Sequence, residues 1–182
     1  TWQTIDVDLA TTSDLLETPV LFISGKGSLD LSARQKQNLV EYVNQGGFLF
    51  VENSCNEPQF DKDFRQLIKE LFPASPLAPL PPQHAIWFAD SRIQPTMIGK
   101  LHGVQTCCRT SIVYSTIELG CYWELFNPRG DDQIPADIAE QISQRLAIGT
   151  NILTYATGRQ LRDKLDKPNL ATLDSNTTSV IR

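Results

Sequence analysis

Two short apolar runs, Val20-Leu21-Phe22-Ile23 and Phe48-Leu49-Phe50-Val51, decide the fold class of this chain. Turn residues bound them, with Ser24-Gly25 after the first run and Gly46-Gly47 before the second. Uninterrupted apolar runs of this length are typical of strands that are covered on both faces. Residues 32–45, between the runs, have the spacing of a capped amphipathic helix. This order of strand, helix and strand predicts a right-handed, parallel βαβ unit.

Other stretches extend the pattern. Apolar and polar residues alternate from Trp2 to Leu9, which predicts an edge strand. A helical apolar face runs from Phe60 to Leu71, a proline-rich connector covers residues 74–83, and a long helix follows Pro135. Short segments at 103–106, 111–114 and 121–124 predict strands or a hairpin.

Together these elements predict one α/β domain with a mostly parallel sheet over residues 1–166. A polar C-terminal tail follows over residues 167–182. The chain starts at Thr1 rather than at a methionine and opens directly into the alternating segment. We therefore expect it to be part of a longer protein.

The composition excludes several classes of function. The 182 residues include 16 basic and 21 acidic side chains, which gives a net charge of -5. A mildly acidic domain lacks the positive surface that binds nucleic acid or an anionic membrane. No apolar run approaches the ~18 residues of a membrane helix. We expect no nucleic-acid partner and no direct membrane insertion by this chain.

Polar segments follow both strands of the predicted βαβ unit, at Ser24–Ser28 and Glu52–Asn56. The carboxyl ends of parallel strands meet at one edge of a sheet, where ligands commonly bind. We therefore predict that Gly25, Lys26 and Asn53 line a ligand crevice, with Gly25 allowing a close backbone approach. The phosphate-loop pattern is absent around Lys26, and no cofactor is predicted.

Arg109 and Trp123 are further candidates for the wall of a ligand site. The alternative for Arg109 is a structural salt bridge with Glu124, since the two residues flank neighbouring predicted segments.

The four cysteines are Cys55, Cys107, Cys108 and Cys121. They form no Cys-x-x-Cys pair, so no metal site is predicted. Buried free thiols and a single disulfide both remain open.

Cys55 differs from the other cysteines because it follows a predicted strand and can approach a helix N-terminus, which stabilises a thiolate. A nucleophilic cysteine needs a base, usually a histidine. One hypothesis is therefore a hydrolase with Cys55 as nucleophile, His84 as base, and Glu52 or Asp61 as the orienting acid. The alternative for His84 is a turn residue that caps a local backbone group.

Several stretches carry a resemblance to a known family: Pro19–Gly25, Gly46–Phe50, Cys107–Ser111, Leu119–Glu124 and Ala147–Ile152. From about Trp2 to about Leu161 the chain resembles the bacterial family of domains of unknown function 4159, whose fold is related to the class I glutamine amidotransferase-like group. The resemblance implies a three-layer α/β/α sandwich with a mostly parallel sheet. It also implies part of a larger bacterial protein, exported or membrane-attached rather than cytoplasmic, and it brings no assigned reaction.

The amidotransferase-like group carries its nucleophile in a Gly-x-Cys-x-Gly turn, with a histidine and a glutamate. Cys55 lacks both glycines, and the chain has no His-x-Glu pair. These departures argue against glutamine hydrolysis. Our leading hypothesis is a non-catalytic domain that binds a small ligand or a protein partner at the strand edge, and the cysteine hydrolase is the alternative.

Overall fold

A computed structural model describes residues 3–106, 109–126 and 134–158. Its sheet has five strands: β1 (Val20–Gly25), β2 (Phe48–Asn53), β3 (Ala78–Pro79), β4 (Leu101–Thr106) and β5 (Arg109–Ser115). Their spatial order is β1-β2-β5-β4-β3. The pairs β1–β2 and β2–β5 are parallel, whereas β5–β4 and β4–β3 are antiparallel. Only β4 runs against the other strands, so the predicted mostly parallel sheet and its βαβ unit are confirmed.

The helices are α1 (Thr12–Leu16), α2 (Ala33–Asn44), α3 (Pro58–Leu71), α4 (Gly120–Glu124) and α5 (Ala136–Thr157). Short 3₁₀ helices cover Ser54–Asn56, Ala85–Phe88 and Pro95–Met97. Local chemistry sets the bounds of α2: Ser32 and Gln35 form a reciprocal capping box, and Gly46 beyond its end has a φ of 103°.

The sheet separates two apolar cores. One lies against α1, α2 and α3, and the other lies against α5. Strand β2 serves both, because Leu49 and Val51 pack in the first core while Phe48 and Phe50 pack in the second. Successive side chains of a strand point to opposite faces, so a strand covered on both sides must be apolar throughout. This requirement explains the uninterrupted run in the sequence.

Two predicted strands are wrong. Residues 3–9 form no strand, because the Asp6 carbonyl accepts hydrogen bonds from the amides of Leu9 and Ala10, and the Asp6 carboxylate accepts one from Asp8. Aspartate favours such turns by bonding to nearby backbone. Residues 121–124 belong to α4, where the Leu119 carbonyl accepts from the amides at 122 and 123.

The proline-rich connector also departs from prediction, since Ala78–Pro79 pair with β4 at the margin of the sheet. Proline lacks a backbone donor, and an edge strand tolerates that loss. The predicted tail at 167–182 lies outside the described residues. In the described part of the chain, no helix combines the length and apolarity needed to cross a membrane.

Candidate functional site

Four strands contribute residues to the carboxyl edge of the sheet. Gly25 on β1 pairs with Asn53 on β2, and Tyr114 lies near the end of β5. Because β4 is antiparallel, it begins at this same edge, and His102 pairs with Tyr114. The predicted meeting of the Ser24–Ser28 and Glu52–Asn56 segments is therefore observed, and β4 and β5 add further side chains.

Gly25 packs closely against α3. A Cβ atom at this position would lie 1.9 Å from the Phe60 ring of α3, so only glycine fits there. The loop that follows is tied to α3 as well, because the Leu29 amide donates to Asp63 Oδ2 at 3.1 Å. Lys26 is exposed in this loop. Contact of Gly25 and Lys26 with a ligand stays a prediction.

Asn53 clamps the turn between β2 and α3. Its Oδ1 accepts the Glu57 amide at 2.8 Å, and its Nδ2 donates to the Glu57 carbonyl at 3.2 Å. Inside the clamp, Cys55 and Asn56 have φ values of 59° and 52°. Non-glycine residues rarely adopt this left-handed conformation, and it costs about 1–3 kcal/mol. The exposed Cys55 thiol is thus presented on a tight strand-to-helix turn.

Asp61 joins α3 to β5. Its Oδ1 accepts the Tyr114 hydroxyl at 2.8 Å, and its Oδ2 accepts Arg65 Nε at 2.9 Å. The Arg65 guanidinium also lies over the Tyr114 ring, 5.7 Å from the centroid. Tyr114 is fully buried, whereas the side chains of Asp61 and Arg65 are 33% and 40% exposed. This network therefore runs from the core to the surface.

Electrostatics follow from these contacts. Burial raises the pKa of Asp61, but the hydrogen bonds from Arg65 and Tyr114 outweigh it, so the pKa falls below its usual value. Burial, with the Asp61 carboxylate beside it, raises the pKa of Tyr114. The network therefore holds an ionised carboxylate and a neutral phenol near neutral pH.

His102 borders the network. Its ring centroid lies 6.2 Å from that of Tyr114, and its buried Nδ1 has no hydrogen-bond partner among the described residues. Burial and the nearby Arg65 charge lower the pKa of His102, against a smaller opposing effect of Asp61. The imidazole is therefore mainly neutral at pH 7.

His84 lies toward the other end of the sheet. Its Nδ1 accepts the Ile86 amide at 3.2 Å, and its Nε2 shares a hydrogen bond with Thr110 Oγ1 at 2.9 Å. Thr110 stands at the amino end of β5, so the structure does not bring His84 and Cys55 together. Capping by His84 of a local backbone group, the alternative interpretation, is confirmed.

Glu52 faces the α5 side of the sheet. It is fully buried, and its Oε2 accepts the Gly120 amide of α4 at 3.0 Å. Burial raises the pKa of Glu52, the backbone amides at 119 and 120 oppose that shift, and nearby Glu118 and Glu124 add to it. Alternation along β2 places Glu52 on the opposite face from Asn53, so Glu52 and Asp61 do not share a site.

Arg109 and Trp123 are not brought together either. Arg109 begins β5, whereas Trp123 lies in α4, beyond the end of that strand. The Trp123 ring packs against Phe22 and Phe50 at centroid distances of 6.0 and 6.2 Å. The two ion pairs between described residues, Lys36–Glu70 and Arg65–Asp61, do not include the Arg109–Glu124 alternative.

The described cysteines, Cys55 and Cys121, are free thiols. Cys107 and Cys108 lie outside the described residues. Within the described ranges, no group of three or more histidine, cysteine, aspartate or glutamate side chains is arranged to hold a metal ion.

Three residues of the edge were missed from sequence: Arg65, His102 and Tyr114. The spacing of Asp61 and Arg65, four apart on a predicted helix, was a visible signal of pairing. Tyr114 and His102 carried no comparable signal, because their approach to α3 depends on strand register.

Comparison with protein families supports the resemblance seen in the sequence. A family model described as a domain of unknown function (DUF4159) matches residues 1–157. Comparison with curated proteins gives no significant match. The matched range contains the whole described sheet and the site residues discussed above. The chain therefore belongs to the DUF4159 family.

Proposed function

We propose that this domain is a non-catalytic binding module, and that its site lies at the carboxyl edge of the sheet on the α3 side. The site takes a small ligand with a carboxylate or a similar oxyanion group. The observation that carries this proposal is the partly exposed side chain of Arg65 and its guanidinium. Asp61 holds its Nε, while neither Nη donates to any residue that the structure describes.

An arginine in this state suits an anion. The guanidinium carries five donors in a fixed fork that matches the two oxygens of a carboxylate. Asp61 and the Tyr114 ring restrict its motion, so little conformational entropy is lost on binding. The mainly neutral His102 ring nearby supplies a second polar group for selectivity.

The hydrogen bonds of the network favour binding over catalysis. Tyr114 and Asp61 satisfy each other, and Asn53 is committed to the Glu57 backbone. These groups position Arg65 and the turn. A protein partner that presents an acidic side chain offers the same chemistry, and the test below distinguishes the two sources.

The test is a titration of the ¹⁵N-labelled protein, followed by NMR, with acetate, malonate, citrate, phosphate and an acidic peptide as separate probes. We expect saturable shifts at residues 53–61 and His102, and their loss in Arg65→Gln. Lys36→Gln is the matched control. Like Arg65, Lys36 is the cation of an ion pair with an acidic residue of α3, in this case Glu70. Shifts with the acidic peptide alone would indicate that the bound group is an acidic side chain of a protein partner. No response to any of these probes, or an unchanged response in Arg65→Gln, contradicts the proposal.

One observation favours the cysteine hydrolase as a second candidate. The exposed Cys55 has a left-handed backbone conformation, with φ 59° and ψ 19°, in a turn that joins a strand to a helix. Some hydrolases present their nucleophile on a sharp, strained turn between a strand and a helix. The hydrogen bonds of His84 argue against it as the base. Peptide-resolved alkylation with iodoacetamide at pH 7 tests this candidate. Cys55 must react faster in the folded protein than in urea, and equal or slower reaction removes it.

We further propose that the fold is related to the glutamine amidotransferase-like group. The parallel strands β1, β2 and β5 and the left-handed turn at Cys55 support the fold relation. An experimental structure whose strand order fails to superpose on that group would contradict it.

A further inference from the structure

A buried carboxyl group lies beneath α4, on the face of the sheet opposite the proposed binding site. Glu52 is 0% exposed, and its Oε1 has no hydrogen-bond partner among the described residues. Its Oε2 accepts the Gly120 amide at 3.0 Å. A Cβ atom on Gly120 would lie 3.2 Å from Oε2, so the backbone of α4 sits directly on the carboxyl group.

Apart from this contact, α4 is held by side chains that are themselves only partly buried. It has five residues, none of them buried, and its N-cap residue Leu119 makes no side-chain capping bond. Beyond the Glu52 contact, α4 is attached to α5 through two side chains. Trp123 donates from Nε1 to the Arg145 carbonyl at 3.0 Å and fills the space beside Gly149, and the Tyr122 hydroxyl donates to Gln141 Oε1 at 2.9 Å. A short segment with few buried groups opens locally at low cost.

We propose that α4 is a pH-sensitive lid, which is closed over Glu52 when that carboxyl is protonated and opens when it is ionised. An ionised carboxylate with one unpartnered oxygen is costly to bury, whereas a neutral carboxyl is tolerated. Lifting α4 returns Glu52 to water and uncovers the aromatic floor of Phe22 and Phe50. The lid therefore gates a second surface at the carboxyl edge.

Charged groups near Glu52 also favour its protonated form. The titratable and charged side chains of residues 118–124 are Glu118, Cys121, Tyr122 and Glu124, and Arg145 of α5 contacts this segment. Glu118 and Glu124 both favour the protonated form. Arg145 is directed elsewhere, with its Nε on the Glu118 carbonyl and its guanidinium 3.8 Å from the Tyr122 ring centroid.

The pH dependence of the closed state follows from the raised pKa of Glu52 in that state. Burial raises the pKa of Glu52 above its ordinary value of 4.5. The closed state is therefore most stable below that value, and it loses stability as the pH rises through the raised pKa. A carboxylate held in a salt bridge has the opposite pH dependence, because its contribution to stability is lost as the pH falls.

The experiment uses the full chain labelled with 5-fluorotryptophan, with the Trp123 resonance assigned from Trp123→Phe. Between pH 4 and pH 8 we expect the ¹⁹F signal of Trp123 to shift or to broaden toward an open state. Glu52→Gln, which keeps the acceptor for Gly120 but cannot ionise, removes that response. Glu124→Gln is the matched control. It retains the response but moves its midpoint to lower pH, because it removes a charge that favours the protonated form of Glu52. The signals of the other tryptophans report whether the whole protein unfolds.

A pH-independent Trp123 signal in the wild-type protein overturns the proposal. An equal pH response in Glu52→Gln overturns it as well. Because the readout lies on α4, its failure is distinguishable from failure of the Arg65 anion titration.

Discussion

The Tyr114 hydroxyl donates to Asp61 Oδ1 at 2.8 Å and so ties the central strand β5 to α3. Tyr114 is completely buried, and Asp61 is held a second time by Arg65 within its own helix. This bridge therefore adds a polar contact at the carboxyl edge between layers that also pack through the apolar side chains of the first core.

Tyr114→Phe removes the donor of this bridge and keeps the ring. We expect a loss of about 1–3 kcal/mol in the free energy of unfolding, since a buried hydrogen bond to a charged group is broken. Urea denaturation measures it. Tyr122→Phe, which removes a hydroxyl bonded to Gln141 near the surface, is the control and should cost less. Equal losses in the free energy of unfolding would show that the Tyr114–Asp61 bond contributes no more than the Tyr122–Gln141 bond.

Asp61 gives the edge a defined response to acid. Its folded pKa lies below the ordinary value of 3.8, so the stability that it contributes is complete above that value and is lost as the pH falls through the folded pKa. Asp61→Asn should therefore be less stable than the wild-type protein at neutral pH. The difference in the free energy of unfolding between the two proteins should become smaller as the pH falls below about 4. Thermal unfolding at pH 7, 5, 4 and 3 checks this. A constant difference across the series would contradict it.

Gly25→Ala places a methyl group within the Phe60 ring, and we expect a loss of about 1–3 kcal/mol from overpacking. Phe60→Leu makes room, so the double variant should lose less than the sum of the two single changes. Chemical denaturation of the four proteins completes the cycle. Strict additivity would mean that the ring is not the obstacle.

Cys55→Gly relieves a left-handed backbone and is expected to stabilise the fold by up to about 1 kcal/mol. The same change at Cys121, inside α4, has the opposite sign, because glycine is a weaker helix former than cysteine by a few tenths of a kcal/mol. Differential scanning calorimetry compares the two. A lower melting temperature for Cys55→Gly would show that the thiol makes contacts that offset the strain.

Periodicity predicted the elements whose pattern was long or closed by clear caps. The runs at 20–23 and 48–51, the capped α2 and the long α5 behind Pro135 are all present. Gly149 inside α5 allows close packing, because the Trp123 ring fills the space beside it. Short alternating segments misled, since four residues such as 121–124 fit a strand and a helical turn equally well.

The amino-acid sequence by itself determined the α/β class, the parallel β1–β2 pair and the edge where Asn53 and Cys55 lie, because these depend on local apolar patterning and on the handedness of one crossover. Only the tertiary structure decided which side chains meet there. It placed Tyr114 and His102 against α3, turned Glu52 to the far face, and left His84 toward the other end of the sheet. Contacts of that kind depend on strand order and register, which join residues far apart in the chain and leave no trace in a local pattern.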